Sequence, residues 1–332
     1  MKIVAVVVAH NRRDLLVGTL DALAAQTRPP EAVLVVDNAS NDDSNRLAAG
    51  HPAVTEVVSL TRNTGGAGGF CVGLAHALMT MAPDAIWLMD DDTAPTPTAL
   101  AELDQAWRAY PGKLALASSR VVWTDGRDHP MNSQRQRLWQ SPRRRRRARK
   151  AGGWPIRTGS FVSLLVDAHT AWRHRLPLAD YFIWNDDLEY SARLLRRGQG
   201  IMVPASVTVH HTKQFASALR SPGDRFYYEV RNKLWAFLKS PAFGPLDAFI
   251  YFAYTAFGWL GAVARSREKG RLIKAGCRGL RDGLCRRPRP NVEVLAGQGR
   301  LTAEVAAVDA RAARPWPPPP HPPPPRGVAP EA

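Results

Sequence analysis

The chain predicts an α/β fold, an open doubly wound sheet of the Rossmann-like type. Three observations carry this expectation. Short Val-rich apolar runs alternate with segments of helical spacing, each run closes on polar residues, and one of them ends in the triplet Asp90-Asp91-Asp92. Strand–helix alternation favours parallel strands joined by crossovers, and such sheets collect ligands at the carboxyl ends of their strands.

Ile3 to Ala9 is continuously apolar, as expected of a strand buried on both faces. Leu15, Leu16, Thr19, Leu20 and Leu23 keep helical spacing until Thr27-Arg28-Pro29-Pro30 stops the helix. Ala32 to Val36 forms a second strand, running into Asp37-Asn38. Val54 to Leu60 forms a third, leading to Asn63, and Ala85 to Met89 a fourth. A helix from Gly69 to Met81 fits between the last two. Further on, Asn185 suits an N-cap for a helix with the stripe Leu188, Ala192 and Leu195, and a strand from Gly200 to Val209 delivers His210-His211.

The chain has 332 residues and a formal net charge of +16, which favours anionic partners such as phosphorylated ligands or anionic lipid. Cys71, Cys277 and Cys285 form no C-x-x-C pair and no disulfide framework, in keeping with a reducing compartment. The apolar start runs into His10-Asn11-Arg12-Arg13 rather than a small-residue cleavage site, so it reads as a strand and not a signal peptide.

Three adjacent carboxylates must stay solvated, paired or metal-bound. The triplet therefore fits either a solvated loop or a site for Mg²⁺ or Mn²⁺, hard ions that also hold substrate phosphates. Asp37 suits the hydroxyls of a ribose or the edge of a base. Thr64-Gly65-Gly66-Ala67-Gly68-Gly69 lets a backbone approach a ligand, or a helix pack closely. Cys71 stands where G-x-G-x-x-G requires its third glycine, and no G-x-x-x-x-G-K-[ST] follows, which argues against NAD and P-loop chemistry.

Val-Val-Val-Ala-His-Asn-Arg, Val-Val-Asp-Asn-Ala-Ser, Arg-Asn-Thr-Gly-Gly-Ala-Gly-Gly-Phe and Trp-Leu-Met-Asp-Asp-Asp, in this order, resemble family 2 glycosyltransferases of the GT-A fold. The glycine-rich element is most similar to that of actinobacterial galactofuranosyl- and rhamnosyltransferases of cell-surface glycans. The resemblance spans about residues 3 to 238. It implies a nucleotide-sugar donor, UDP- or dTDP-linked, lying across Ala9, His10, Asn11, Arg12, Asp37, Asn63, Gly65, Gly66, Asp90 and Asp91. It also implies a divalent metal on Asp90, Asp92 and His210, and inversion at the anomeric carbon. The first turn after Asn185 holds Asp186 and Asp187, which suit the helix dipole on their own. The resemblance implies a catalytic pair with Asp187 as general base and Asp186 for positioning. It further suggests Trp184 and Arg231, the latter within Tyr227-Tyr228-Glu229-Val230-Arg231-Asn232, for acceptor or diphosphate.

Outside residues 1–238, a helical extension is expected over 239–285 and a disordered Pro-rich tail over 286–332. Ala248 to Ala264 is nearly free of charge but short for a bilayer span, which reads as a buried or interfacial helix. Arg143 to Lys150 reads as a mobile, solvated basic loop. Together they predict a peripheral position on the cytoplasmic face of the membrane, with a glycan or lipid-linked glycan as acceptor. Two other classes fit parts of the chain. A sugar-nucleotide nucleotidyltransferase shares the sheet but needs a glycine-rich loop after the first strand, which is absent. A non-catalytic polyanion- or membrane-binding protein would use the Arg run, yet acids at the strand ends disfavour a nucleic-acid backbone.

Overall fold

The computed structural model describes residues 1–132, 134–137, 139–212, 215 and 223–310. Nine strands form one sheet: β1 Ile3–Ala9, β2 Ala32–Asp37, β3 Glu56–Ser59, β4 Ala85–Asp90, β5 Thr93–Pro95, β6 Leu116–Val122, β7 Trp154–Pro155, β8 Leu164–Asp167 and β9 Gly200–His210. Their order is β3-β2-β1-β4-β8-β6-β9-β5, with β7 beside β9. Helices α1 Arg13–Ala24, α2 Ser44–Gly50, α3 Gly65–His76, α4 Ala99–Ala109, α5 Pro142–Lys150 and α6 Ala168–Arg173 precede α7 Asp186–Leu195 and α8 Phe226–Leu234. The remainder are α9 Pro245–Arg265, α10 Lys269–Cys285, α11 Asn291–Val294 and α12 Arg300–Ala310.

The expected α/β alternation holds, and β1 to β4 pair in parallel. The sheet as a whole is mixed, however, because β8 lies antiparallel between β4 and β6, and β5 and β7 lie antiparallel to β9. A short apolar run has the same composition in either direction, so strand polarity left no trace in the periodicity. Both faces of β1 are covered. Val4, Val6 and Val8 pack with α3, while Ile3, Ala5 and Val7 pack with Leu16 and Leu20 of α1 and Leu100 and Leu103 of α4. This two-sided burial is why β1 is apolar without alternation.

Four expectations are corrected. The helix expected to begin at Gly69 begins at Gly65 and gives way after His76 to a wider π turn, Ala77–Met81. Its glycines belong to the helix because it lies so close to β1 that a Cβ on Gly69 or Gly73 would meet the Val8 or Val6 side chain. The basic run is not a loop but α5. Ser141 caps it, Pro142 occupies its first turn, and Ala148 is buried beneath the arginines. Arginine is a good helix former, so one buried alanine and a cap suffice to order the run.

The third correction concerns 286–310, which is folded and not part of a disordered tail. Val294 and Leu295 beside α11, with Val305 and Val308 of α12, enter the core that contains α3. Their packing partners lie more than two hundred residues earlier, beyond the reach of local periodicity. The polyproline tract of 315–325 lies outside the described residues. Lastly, the Asn185 side chain does not cap α7. Asn185 adopts φ 66°, and its amide donates to Glu229 Oε2 at 2.9 Å.

Candidate functional site

Register brings the acidic triplet and His210 together. Thr93 of β5 pairs with His210 of β9, and the His211 N–H donates to the Asp92 carbonyl at 2.8 Å. Alternation along β9 then buries His210 and exposes His211. His210 Nε2 lies 3.1 Å from Asp92 Oδ1. The Arg12 guanidinium, arriving from the end of β1, bridges Asp91 and Asp92.

The three acids differ in their surroundings. Burial, followed by the charges of Asp92 and Asp91, pushes Asp90 well above the usual carboxylate range. Burial lifts Asp91 to about 6 against the pull of Arg12. For Asp92, burial is outweighed by the hydrogen bond and charge of His210 and by Arg12, which hold it below its ordinary value. Asp91, expected on the donor, has both oxygens engaged by the protein: Oδ2 accepts from the His10 N–H at 2.9 Å and Oδ1 meets Arg12 at 3.2 Å. It ties the end of β4 to the end of β1.

His210 Nδ1 faces the Asn132 carbonyl oxygen at 2.8 Å, which can only accept, so Nδ1 carries the proton. The Nε2 lone pair then faces a carboxylate oxygen, and two acceptors that close need a cation between them, either a proton or a metal ion. One imidazole with the Asp92 and Asp90 carboxylates is a donor set that suits Mn²⁺. The donor chemistry fits the ion, while among the described residues no three such side chains are gathered closely enough to hold one as they stand.

The neighbouring strand ends meet in one hydrogen-bonded rim. Asn63 Nδ2 lies 2.8 Å from His10 Nε2, and Asn63 Oδ1 accepts from the Gly65 N–H at 2.7 Å. Asn11, at φ 51°, accepts from the Asn41 N–H through Oδ1 at 2.8 Å. Asp37, paired in register with Ala9, accepts from the Ser40 N–H at 3.1 Å. Asn38, outside the expected donor-binding residues, organises the glycine turn. Its Oδ1 accepts from the Thr64 N–H at 2.8 Å and its Nδ2 donates to the Gly65 carbonyl at 2.9 Å. Its place directly after Asp37 was the available signal.

Near the triplet lies the Asp186-Asp187 pair. Asp186 is close enough to Asp90 for its charge to raise Asp90 further. The segment before the pair is bent, with Phe182, Trp184 and Asn185 all in left-handed conformations. Such backbone persists only where its surroundings hold it. The Asn232 amide donates to the carbonyls of Tyr181, Ile183 and Trp184 at 2.9, 2.9 and 2.7 Å. Arg231, expected at diphosphate or acceptor, directs Nη2 to the Asp180 carbonyl at 2.7 Å and stacks on Trp235. Its guanidinium is engaged by the carbonyls of the 3₁₀ turn Ala179–Tyr181 that leads into the bend.

Within the pair the carboxyls are unlike. Burial, then the charge of Asp187, pushes Asp186 up to about 8. Burial also raises Asp187, but its Oδ1 accepts from the Leu188 N–H at 2.7 Å and its carboxyl takes a hydrogen bond from Ser160. Hydrogen bonds thus oppose the rise of Asp187, whereas its neighbour's charge adds to the rise of Asp186, the member more inclined to keep a proton.

Residues 4–172 match the family described as Glycosyl transferase family 2. Galactofuranosyltransferase GlfT1 of Mycobacterium tuberculosis is 33% identical over 285 residues, covering 80% of this chain and 90% of that protein. GlfT1 of Mycolicibacterium smegmatis is 45% identical over 96 residues, 29% of this chain and 32% of its own. Among solved structures, S. aureus TarS 1-349 in complex with UDP superposes with a TM-score of 0.60 at 15% identity, over 94% of this chain and 89% of TarS 1-349. The mannosyltransferase PcManGT from Pyrobaculum calidifontis, in complex with GDP-Man and Mn²⁺, gives 0.52 at 18% identity, over 94% and 86%.

Proposed function

Because this chain belongs to glycosyl transferase family 2 and has the GT-A fold, we propose that it moves a galactofuranosyl group from UDP-galactofuranose to a cell-surface or lipid-linked glycan, with inversion. A dTDP-rhamnose donor is the second choice. The observation that carries the reading is the nearness of two acidic groups: the triplet with His210 at the strand ends, and Asp186-Asp187 at the start of α7. The GlfT1 relatives supply the sugar.

In this mechanism the donor lies across His10, Asn11, Asp37 and Asn63, with its diphosphate near Gly65 and Gly66. Asp90, Asp92 and His210 would hold Mn²⁺ or Mg²⁺, which when bound neutralises charge growing on the leaving diphosphate. Asp187 accepts the proton of the acceptor hydroxyl as that oxygen attacks the anomeric carbon from the face opposite the diphosphate. Asp186, protonated, donates a hydrogen bond to hold the acceptor. Trp184 offers a ring beside the pair for the acceptor sugar.

A peripheral place on the cytoplasmic membrane face is part of the proposal. Leu246, Phe249, Tyr254, Phe257 and Leu260 of α9 are all exposed, as are Ile273, Leu280 and Leu284 of α10. Among the described residues, Arg265, Arg267, Lys269 and Lys274 beside them meet no carboxylate within 4 Å. An apolar face with a free basic rim matches an anionic bilayer, whereas a second copy would bring like charge against it.

The test incubates the protein with a panel of nucleotide sugars and Mn²⁺ and scores the released nucleotide. UDP release from UDP-galactofuranose, dependent on a glycan acceptor, is expected. Release of pyrophosphate would replace the reading with nucleotidyl transfer.

A further inference from the structure

The bend before Asp186 hangs on α8, and one buried carboxylate of that helix has no part in the mechanism above. Glu229 and Asn232 lie three residues apart on α8 and so share a face. Asn232 holds the carbonyls of Tyr181, Ile183 and Trp184, while Glu229 holds the side chain of Asn185. Donors from three segments converge on Glu229. Its Oε1 pairs with the Lys233 ammonium of α8 and accepts from the Trp259 indole N–H of α9 at 3.2 Å. Its Oε2 accepts from the Asn185 amide at 2.9 Å. Glu229, Lys233 and Trp259 are all buried.

Asn185 is the residue from which α7 starts. Its φ of 66° follows φ 64° at Trp184, and its carbonyl accepts from the Glu189 N–H in the first turn of α7 at 3.0 Å. Left-handed backbone at residues other than glycine costs about 1–2 kcal/mol each, so outside contacts must hold the run. Where the Asn185 side chain is held, Asp186 and Asp187 are held with it, because they are the next two residues.

The mount itself is firm. A Cβ on Gly279 of α10 would lie 2.8 Å from the Tyr227 carbonyl oxygen, and one on Gly283 2.6 Å from the Leu234 side chain, so α10 packs closely on α8. The Tyr227 hydroxyl also donates to Asp282 of α10 at 2.9 Å. Stability alone does not account for a buried ion pair such as Glu229–Lys233, since apolar residues of similar volume often serve as well.

We infer that Glu229 is a positioning residue, which fixes the Asp186-Asp187 pair through Asn185 against α8 and α9. This rests on the proposed catalytic role of the pair.

Two measurements test it: initial rates of UDP release from UDP-galactofuranose with an octyl galactofuranoside as acceptor, and hydrogen exchange of the amides of 186–189. Asn185→Gly tolerates left-handed backbone and removes the side-chain amide, so the fold is expected to persist. It should lower kcat at least about tenfold with the donor KM unchanged, since slight misplacement of reacting groups is costly. Glu229→Gln, with one accepting oxygen in place of two, should do the same. The double variant should lose no more than the worse single variant, and losses that multiply overturn the assignment. Parental kcat in Asn185→Gly also overturns it, whether or not Glu229→Gln folds. Asp187→Asn is the reference. Parental kcat there overturns the reading of the pair, whereas a loss there beside parental kcat in Asn185→Gly overturns the role of Glu229 alone. Amide exchange needs no substrate. It should quicken at 186–189 in Asn185→Gly and in Glu229→Gln, and parental protection there overturns the role of Glu229 even where another donor is used.

Discussion

The Ala67 N–H donates to the Phe182 carbonyl at 3.1 Å, which makes the glycine turn and the bend before Asp186 one hydrogen-bonded unit. Gly65, two residues earlier, has φ 74°, and a Cβ there would overlap that same carbonyl. Gly65→Ala therefore combines left-handed strain, about 1–2 kcal/mol, with displacement of Phe182. A melting temperature lower by at least about 2–4 °C and a marked loss of turnover are expected. Gly50→Ala, at a glycine with open space around it, is the control, and equal effects from the two would contradict the account.

Asp187→Asn should keep donor affinity and lose about 10²–10⁴-fold in turnover, the usual share of a general base. Asp186→Asn mimics the protonated carboxyl that burial and Asp187 favour, and should lose much less. Initial rates of UDP release at saturating donor compare the two. A larger loss for Asp186→Asn would exchange their roles.

Asp92 faces His210 and Arg12 at once. Asp92→Ala should abolish the Mn²⁺-dependent part of UDP affinity in calorimetry while the fold persists by circular dichroism. Affinity that responds to Mn²⁺ as in the parent would remove Asp92 from the metal site.

His76 Nδ1 lies 2.8 Å from Glu304 Oε2, fastening α12 to α3, and its Nε2 lies 3.0 Å from Glu56. Burial disfavours the charged ring, but Glu304 and Glu56 outweigh it and raise His76 above 6.5. For Glu304, burial is likewise outweighed by His76 and Arg300, which hold it below 4.5. The raised histidine contributes stability that is full below 6.5 and fades as pH climbs through its folded value. The lowered glutamate contributes above 4.5 and fades as pH falls through its folded value. Melting temperature against pH should peak between these limits, and His76→Gln should flatten the alkaline decline.

Exposed Phe249 and Phe257 lie on the apolar face of α9. Replacing both with Glu should greatly reduce sedimentation with anionic vesicles, and neutralising Arg265, Arg267, Lys269 and Lys274 should weaken it by about 1 kcal/mol per charge. Binding that survives both changes and a high-salt wash would instead indicate an integral helix.

Strands β1, β2 and β4 and the polar residues that close them were legible because burial on both faces forces apolar runs. His210 was legible through alternation along β9. The antiparallel insertion of β8, the place of α12 and the contacts of Asn38 depend on partners distant in sequence. Arg231 shows the converse: a cation in a promising motif whose donors turn inward, to the carbonyls of Asp180 and Tyr181 just before the bend.

The docking of Val305 and Val308 onto α3 has a consequence for how the chain is made. The segment that carries the family signature, 4–172, is synthesised long before the helix that completes its hydrophobic interior. A nascent chain therefore leaves the ribosome with one side of α3 bare until residue 308 has emerged. Closure is expected only once residue 308 is available, and until then that surface is expected to need chaperone protection.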